Sequence, residues 1–194
     1  MIRDNALAVS GLLVNRLGGP SVRPYEVAAS FKPVDHAKDA GLYRRSLYTY
    51  WKRTSPAPVM IALDAPKRDV CAVKRANTAT PLQAFVYLND PQAIEAARSL
   101  ATTLITEHAE DTGALFTDMF RRMTSRQPKS AEVRVLESMF NEQLDYFTRQ
   151  PDEAKAYLET GEAPVPKDQP LPKLAATTVV ANSLMAYDEC IMKR

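Results

Sequence analysis

The sequence predicts an all-α (mainly α) protein, an irregular multi-helix domain with a proline-rich insert and room for one short β-hairpin. Three observations carry that expectation. Apolar residues recur at helical spacing through most of residues 80–190. Helix-start signals precede those stretches: Thr80-Pro81-Leu82-Gln83 and Asn89-Asp90-Pro91 each place a capping side chain before a proline, whose missing N–H is no loss in a first turn. Fourteen prolines against six glycines point to fixed, extended backbone in the remainder rather than flexible linkers. A chain of 194 residues, 45% hydrophobic, buries a core without a disulfide or a structural metal. The organisation expected is one helical domain: a first helix within 1–17, a loop-rich insert over 18–79 and a helical core over 80–190.

In order, Ile2, Ala6, Val9, Leu13 and Leu17 sit at helical spacing and predict a helix over 2–16, stopped by Gly18-Gly19-Pro20. Residues 18–41, with Pro20, Pro24 and Pro33, read as an ordered loop, functional or a structural wrap. Tyr43 to Thr54 changes to period two, with Tyr43, Arg45, Leu47, Thr49 and Trp51 on one side. That alternation predicts a short strand, with a helical turn as the competitor. Val59–Leu63 is a brief apolar run that pairs with it or plugs the core.

Thr80 and Asp90 then open two helices, the second reaching Glu107. Its apolar face is Ile94, Ala97, Ala101, Leu104 and Ile105, with Glu95, Arg98 and Thr102 turned to water. Leu115, Phe116, Met119, Phe120 and Met123 mark a helix closing near Ser125. Ser130 caps a long helix over 131–149 with a stripe of Val133, Leu136, Phe140, Leu144 and Phe147. A short helix from Asp152 ends at Gly161, and four prolines make 162–173 an extended connector. The last helix, over 174–190, is apolar on several sides and therefore belongs in the centre.

Charge is unevenly placed. Between Arg44 and Arg75, eight basic residues face Asp64 and Asp69, a local balance of +6 in a chain of net +2. Tyr and Trp rings alternate with the cations from Tyr43 to Arg53. Aromatic rings stack on sugars or bases and arginine grips carboxylate, sulfate or phosphate, so the candidate binding residues are Arg44, Arg45, Tyr48, Tyr50, Trp51, Lys52 and Arg53, with Lys74 and Arg75 as neighbours. The competing reading buries Trp51 and alternate tyrosines in the core and pairs the arginines with the acidic surplus of the helices.

Other chemistry is thinly represented. His36 follows Asp35 and His108 follows Glu107, but adjacent residues usually point apart. Two histidines exclude a His-rich metal site. Cys71 and Cys190 match no metal or redox spacing and are packed thiols or one long-range disulfide. Cations at Lys74 and Arg75 would activate a Cys71 thiolate, which still needs a base. No phosphate-binding loop, dinucleotide fingerprint, zinc-protease motif or haem-attachment motif occurs, and no run of 18 apolar residues. Met1–Asn5 precede an amphipathic pattern rather than a signal-peptide core, so the chain is expected to be cytoplasmic or a piece of a longer protein.

Several segments together resemble a known group: YRRSLYTYWKR from Tyr43, Asp64-Ala65-Pro66, Val70-Cys71 with Lys74-Arg75, and TATPLQAFVYLNDPQAIE from Thr78. The opening segment from Arg3 to Pro24 and AATTVVANSLMAYDE from Ala175 share the likeness. The group is the domain of unknown function at the C-terminal end of large planctomycete proteins that also carry cytochrome-c-like modules. This chain is similar to the C-terminal portion of that domain. The resemblance implies a longer, exported parent, periplasmic or extracellular, with haem on an upstream module and no cofactor in this chain. It supplies no catalytic residues. The expected function is therefore a helical interaction or scaffold domain whose partners are other domains of its parent, exposing an apolar patch where the neighbour belongs. The alternative is binding or processing of an acidic polysaccharide through 43–53. Nucleic acid ranks behind both, for want of a reader motif.

Overall fold

The computed structural model describes residues 2–24, 37–53, 56–66, 71, 73–74, 78–109 and 111–191. Among them are nine α-helices and no strand: α1 (Ile2–Val9), α2 (Pro58–Ala62), α3 (Pro81–Asn89), α4 (Pro91–Glu107), α5 (Thr112–Thr124), α6 (Ser130–Arg149), α7 (Pro151–Leu158), α8 (Leu171–Met185) and α9 (Asp188–Ile191). The protein is mainly α, as the periodicity predicts.

The core is organised on α8, which packs chiefly against α4 and α6 and also touches α7, α5 and α9. Its polar residues do not break the apolar environment, because Thr177 and Thr178 return their hydroxyls to the Lys173 and Leu174 carbonyls one turn back. Alanines on α4 (Ala93, Ala96, Ala97, Ala101) and on α8 (Ala175, Ala176, Ala181) are buried. Such small side chains let helix backbones approach closely. Leu115, Phe116, Met119, Phe120 and Met123 of α5 are buried as expected, and Phe116 meets Phe140 of α6 edge to face at 5.4 Å. At the α5–α6 turn, Arg126 lies 4.6 Å over the Phe120 ring and binds both Glu132 and Glu189, tying α9 down. The bond from Arg126 and that from the Lys129 amide pull the Glu132 carboxyl down to about 2.

The Thr80 capping box forms as written: Gln83 N donates to Thr80 Oγ1 at 3.2 Å and Thr80 N to Gln83 Oε1 at 3.0 Å. Asp90 is the N-cap position of α4 and Pro91 its first residue, but the Asp90 side chain makes no capping hydrogen bond of the kind Thr80 makes.

Several expectations need correction. The first helix stops at Val9 rather than 16, because Gly11 takes φ +76° and Leu13 N turns back onto the Leu7 carbonyl at 2.9 Å. Leu17 is consequently 81% exposed instead of facing a core. The period-two segment forms no strand: 3₁₀ turns at Ala40–Tyr43 and Ser46–Tyr48 interrupt it, and Val59–Leu63 lies in and just after the short helix α2. Lys129, not Ser130, is the cap residue of α6, and its amide donates to Glu132 Oε2 at 2.6 Å. The proline connector ends at Pro170, since Pro172 is accommodated in the first turn of α8, and α8 itself ends at Met185.

The largest correction concerns Glu95 and Arg98, which are each 2% exposed rather than turned to water. Arg98 donates to the carbonyls of Leu158, Thr160 (3.1 Å) and Ala163 (2.5 Å), closing the end of α7. Glu95 Oε1 accepts from Tyr43 Oη at 2.5 Å and from Ala163 N at 2.7 Å. Burial, then the bond to Glu95, drives the Tyr43 hydroxyl well above its ordinary value. Gly161, at φ +97°, passes so near that a Cβ there would lie 2.9 Å from Glu95 Oε2. One buried acid and one buried base thus join the N-terminal segment to the α7–α8 connector.

Candidate interaction surface

Residues 14–22 and 44–50 run parallel as a ribbon. Val14 N donates to the Tyr43 carbonyl (3.0 Å), Val22 N to the Tyr48 carbonyl (2.8 Å), and Tyr50 N to the Val22 carbonyl (2.7 Å). Two buried arginines hold it. Arg3 donates to the Leu42 and Arg44 carbonyls and, through Nε, to Gln92 Oε1 at 2.7 Å, while Gln92 Nε2 reaches the Pro24 carbonyl at 2.8 Å. Arg44 gathers the carbonyls of Arg16, Gly18 and Pro20 and stacks 3.9 Å over the Tyr48 ring, whose hydroxyl accepts from Gly18 N.

Arg44, 5% exposed, therefore cannot display its guanidinium to a ligand, and Tyr48 is half-buried beneath it. Arg45 and Arg53 are exposed, Tyr50 is 38% exposed, and Trp51 and Lys52 are half-buried. Lys74 is exposed on the approach to α3; Arg75 and His36 lie outside the described residues. The ribbon adds two cations from outside the 44–75 window, exposed Arg16 and exposed Arg23, with Arg23 5.5 Å over the Tyr50 ring. Only long-range pairing brings them in. Leu17 and Leu47, 81% and 76% exposed, stand on the same ribbon.

A second surface lies on α3. This helix carries no charged residue, and it is turned over relative to its own chemistry. Polar Gln83 and the Tyr87 ring face inward, while Leu82 and Phe85 are each 65% exposed and Leu88 follows one turn on. Asp64 explains the orientation: its Oδ2 accepts from Thr78 N (2.8 Å), Thr78 Oγ1 (2.7 Å) and Gln83 Nε2 (3.1 Å). Those bonds hold the Asp64 carboxyl below the usual carboxylate range and fix Gln83 inward. Leu82, Phe85 and Leu88 thus form an exposed apolar strip along α3.

His108 lies in a cluster that the sequence showed only as a helix end. Its Nε2 is 3.1 Å from Asp118 Oδ2, and the ligand atoms of Glu107, His108 and Asp118 fall within 4.8 Å of one another. Arg122 donates to the same Asp118 oxygen at 2.8 Å and to Glu107, so a guanidinium already stands where a cation would. Burial would raise the Asp118 carboxyl, but the bonds from Arg122 and His108 outweigh it and hold the group low. The arrangement is an ion-pair cluster joining α4 to α5. No disulfide joins the two cysteines; Cys190 is buried as expected, whereas Cys71 is exposed rather than packed. No helix among the described residues is long and apolar enough to cross a membrane.

A family model described as "PSD1: Protein of unknown function (DUF1553)" matches residues 1–140. That span takes in the ribbon, α3 and α4 and ends inside α6, so the closing segment from Ala175 lies beyond it. No curated protein and no solved structure matches the chain.

Proposed function

Given that the chain belongs to the PSD1 family of proteins of unknown function (DUF1553), we infer that it is a helical interaction or scaffold domain of a larger exported protein, docking a neighbouring domain of its parent through α3. The observation that carries this reading is the outward display of Leu82, Phe85 and Leu88 by a helix that buries Gln83. Contiguous apolar side chains in water cost free energy unless a partner covers them. The likeness to planctomycete proteins with cytochrome-c-like modules makes an upstream module of that kind the expected neighbour, with haem there and none bound by this chain.

The test uses the upstream part of the parent, expressed separately from these 194 residues. The two are expected to associate, and Phe85→Ser should weaken binding about tenfold or more, as loss of an aromatic anchor does. The same substitution should change the stability of the isolated chain by no more than about 0.5 kcal/mol. Parts that do not associate, or a variant that binds like the native chain, would remove the reading.

A second reading is favoured by the ribbon, where exposed Arg45 and the Arg23–Tyr50 stack offer cations and a ring together. It is the binding of an acidic polysaccharide. Affinity for heparin or another sulfated or carboxylated glycan is then expected to fall with added salt and to drop on Arg45→Ala. Binding to none of a panel of such glycans would dispose of it.

A further inference from the structure

The ribbon carries two exposed leucines among its cations, and neither α3 docking nor a polysaccharide has a use for them. Leu17 leads into a bend through Gly18 and Gly19, both at positive φ (71° and 85°), and Leu47 is the middle residue of the 3₁₀ turn Ser46–Tyr48. One bond joins the two turns: Gly18 N donates to Tyr48 Oη at 2.8 Å, so the residues that follow the two leucines are bonded to each other. Exposed Arg16 precedes the first leucine and exposed Arg45 stands shortly before the second, with exposed Arg23 further along. Residues 10–24 and 40–53 hold no aspartate or glutamate. Asp4 reaches in from α1, but its Oδ1 is taken by Ser46 N (2.8 Å) and Ser46 Oγ (2.6 Å), and exposed Asp39 is offset by exposed Lys38 beside it. We propose that this ribbon seats the protein on the surface of an anionic lipid bilayer, with its arginines on headgroup phosphates and Leu17 and Leu47 entering the acyl boundary.

Two requirements of interfacial binding meet here. Attraction to anionic lipid needs cations without competing carboxylates, and retention needs apolar side chains that leave water. The ribbon supplies both on two bonded turns. Arginine stems can lie along the apolar boundary while their guanidinium groups stay among the headgroups. A sulfated or carboxylated glycan is a solvated polyanion: it pairs with the arginines and stacks on rings, but it leaves both leucines in water. A bilayer takes them in, and that difference selects lipid as the occupant. The turns are also fixed before contact. Arg44 holds the Arg16, Gly18 and Pro20 carbonyls around Leu17 and lies over the ring of Tyr48, the neighbour of Leu47, so little conformational freedom is lost on binding. Binding of this kind needs no membrane-spanning helix. It leaves α3 free, so its failure would not touch the α3 reading. It shares the ribbon with the polysaccharide reading, from which the leucines separate it.

Flotation of the native chain with unilamellar vesicles tests it. The chain should float with phosphatidylcholine vesicles containing about 30% phosphatidylglycerol at about 100 mM salt, and should stay behind with phosphatidylcholine alone. Arg16→Gln/Arg45→Gln should weaken binding to the anionic vesicles roughly twenty-five-fold, about fivefold for each charge removed near the surface. Leu17→Ser/Leu47→Ser should weaken it at least about tenfold, the effect of withholding two leucines from the apolar phase, while leaving the thermal melt and retention on heparin as in the native chain. Phe85→Ser should float like the native chain. The native chain alone overturns the proposal if it fails to float with anionic vesicles or floats equally well with neutral ones. The proposal is also overturned if the leucine double variant floats like the native chain, since adsorption would then rest on charge alone and the polysaccharide reading would stand. Loss of flotation on Phe85→Ser would overturn it too, by assigning the lipid contact to α3.

Discussion

Arg98→Ala is expected to destabilise the fold by about 3–5 kcal/mol, the range for removing one partner of a buried charge pair. The substitution strips donors from the carbonyls of Leu158, Thr160 and Ala163 and leaves Glu95, 2% exposed, without its neighbouring cation. Arg98→Lys should recover little, because one ammonium cannot serve three carbonyls that a planar fork spans. Glu95→Gln combined with Arg98→Met should cost less than the sum of its parts, since no unpaired charge is then buried. Urea unfolding of these three variants, with Glu95→Gln and Arg98→Met each alone, measures this directly. A loss below about 1 kcal/mol for Arg98→Ala, the size of one ordinary hydrogen bond, would show that the network is not what holds the connector.

Acid should help this protein over part of the scale, and Asp90 is the reason. Burial pushes its carboxyl from 3.8 up to about 6; the Arg3 charge and the Gln92 and Ala93 amides pull the other way and lose. A folded value above the unfolded one means that the folded state holds the proton more tightly. The stabilising contribution is therefore complete below the unfolded value of 3.8 and is lost as pH rises through about 6. Its size is about 3 kcal/mol at one unit per 1.36 kcal/mol. Asp90→Asn keeps a side chain suited to the cap position and removes the charge. The stability gap between Asp90→Asn and the native chain should be widest above pH 6 and close toward pH 4. Denaturation midpoints of the pair across that range provide the check, and a gap independent of pH would contradict the assignment.

Where local rules decide, the sequence was readable. α3, α4, α6 and α7 begin within a residue or so of their signals, because caps and prolines act over one turn and the apolar stripes span whole helices. The alternation from Tyr43 to Arg53 misled for a physical reason. A strand needs a ladder beside it, whereas this segment is held by guanidinium groups from Arg3 and Arg44 that reach across tens of residues. Glu95 and Arg98 misled in the same way: on a helix wheel they look solvated, and their partners lie beyond residue 157 or before 44. The candidate site was legible as a region but not in its membership. Arg44 went inward, Arg16 and Arg23 joined from a paired segment, and the apolar face of α3 followed from an Asp64 clasp that no spacing rule reveals.

The pairing of α4 with α8 bears on how the chain is made. Sixty-four positions separate Glu107 from Leu171, so the alanine face of α4 leaves the ribosome well before the helix that covers it. At about 5–20 residues per second, roughly 4–16 s pass between the synthesis of Glu107 and that of Met185. Throughout that interval the nascent chain carries a helix whose principal neighbour does not yet exist, and it is then a natural client for chaperones. A transcript cut short before Leu171 would leave that condition permanent, yielding a product recognised by quality control rather than a smaller working protein.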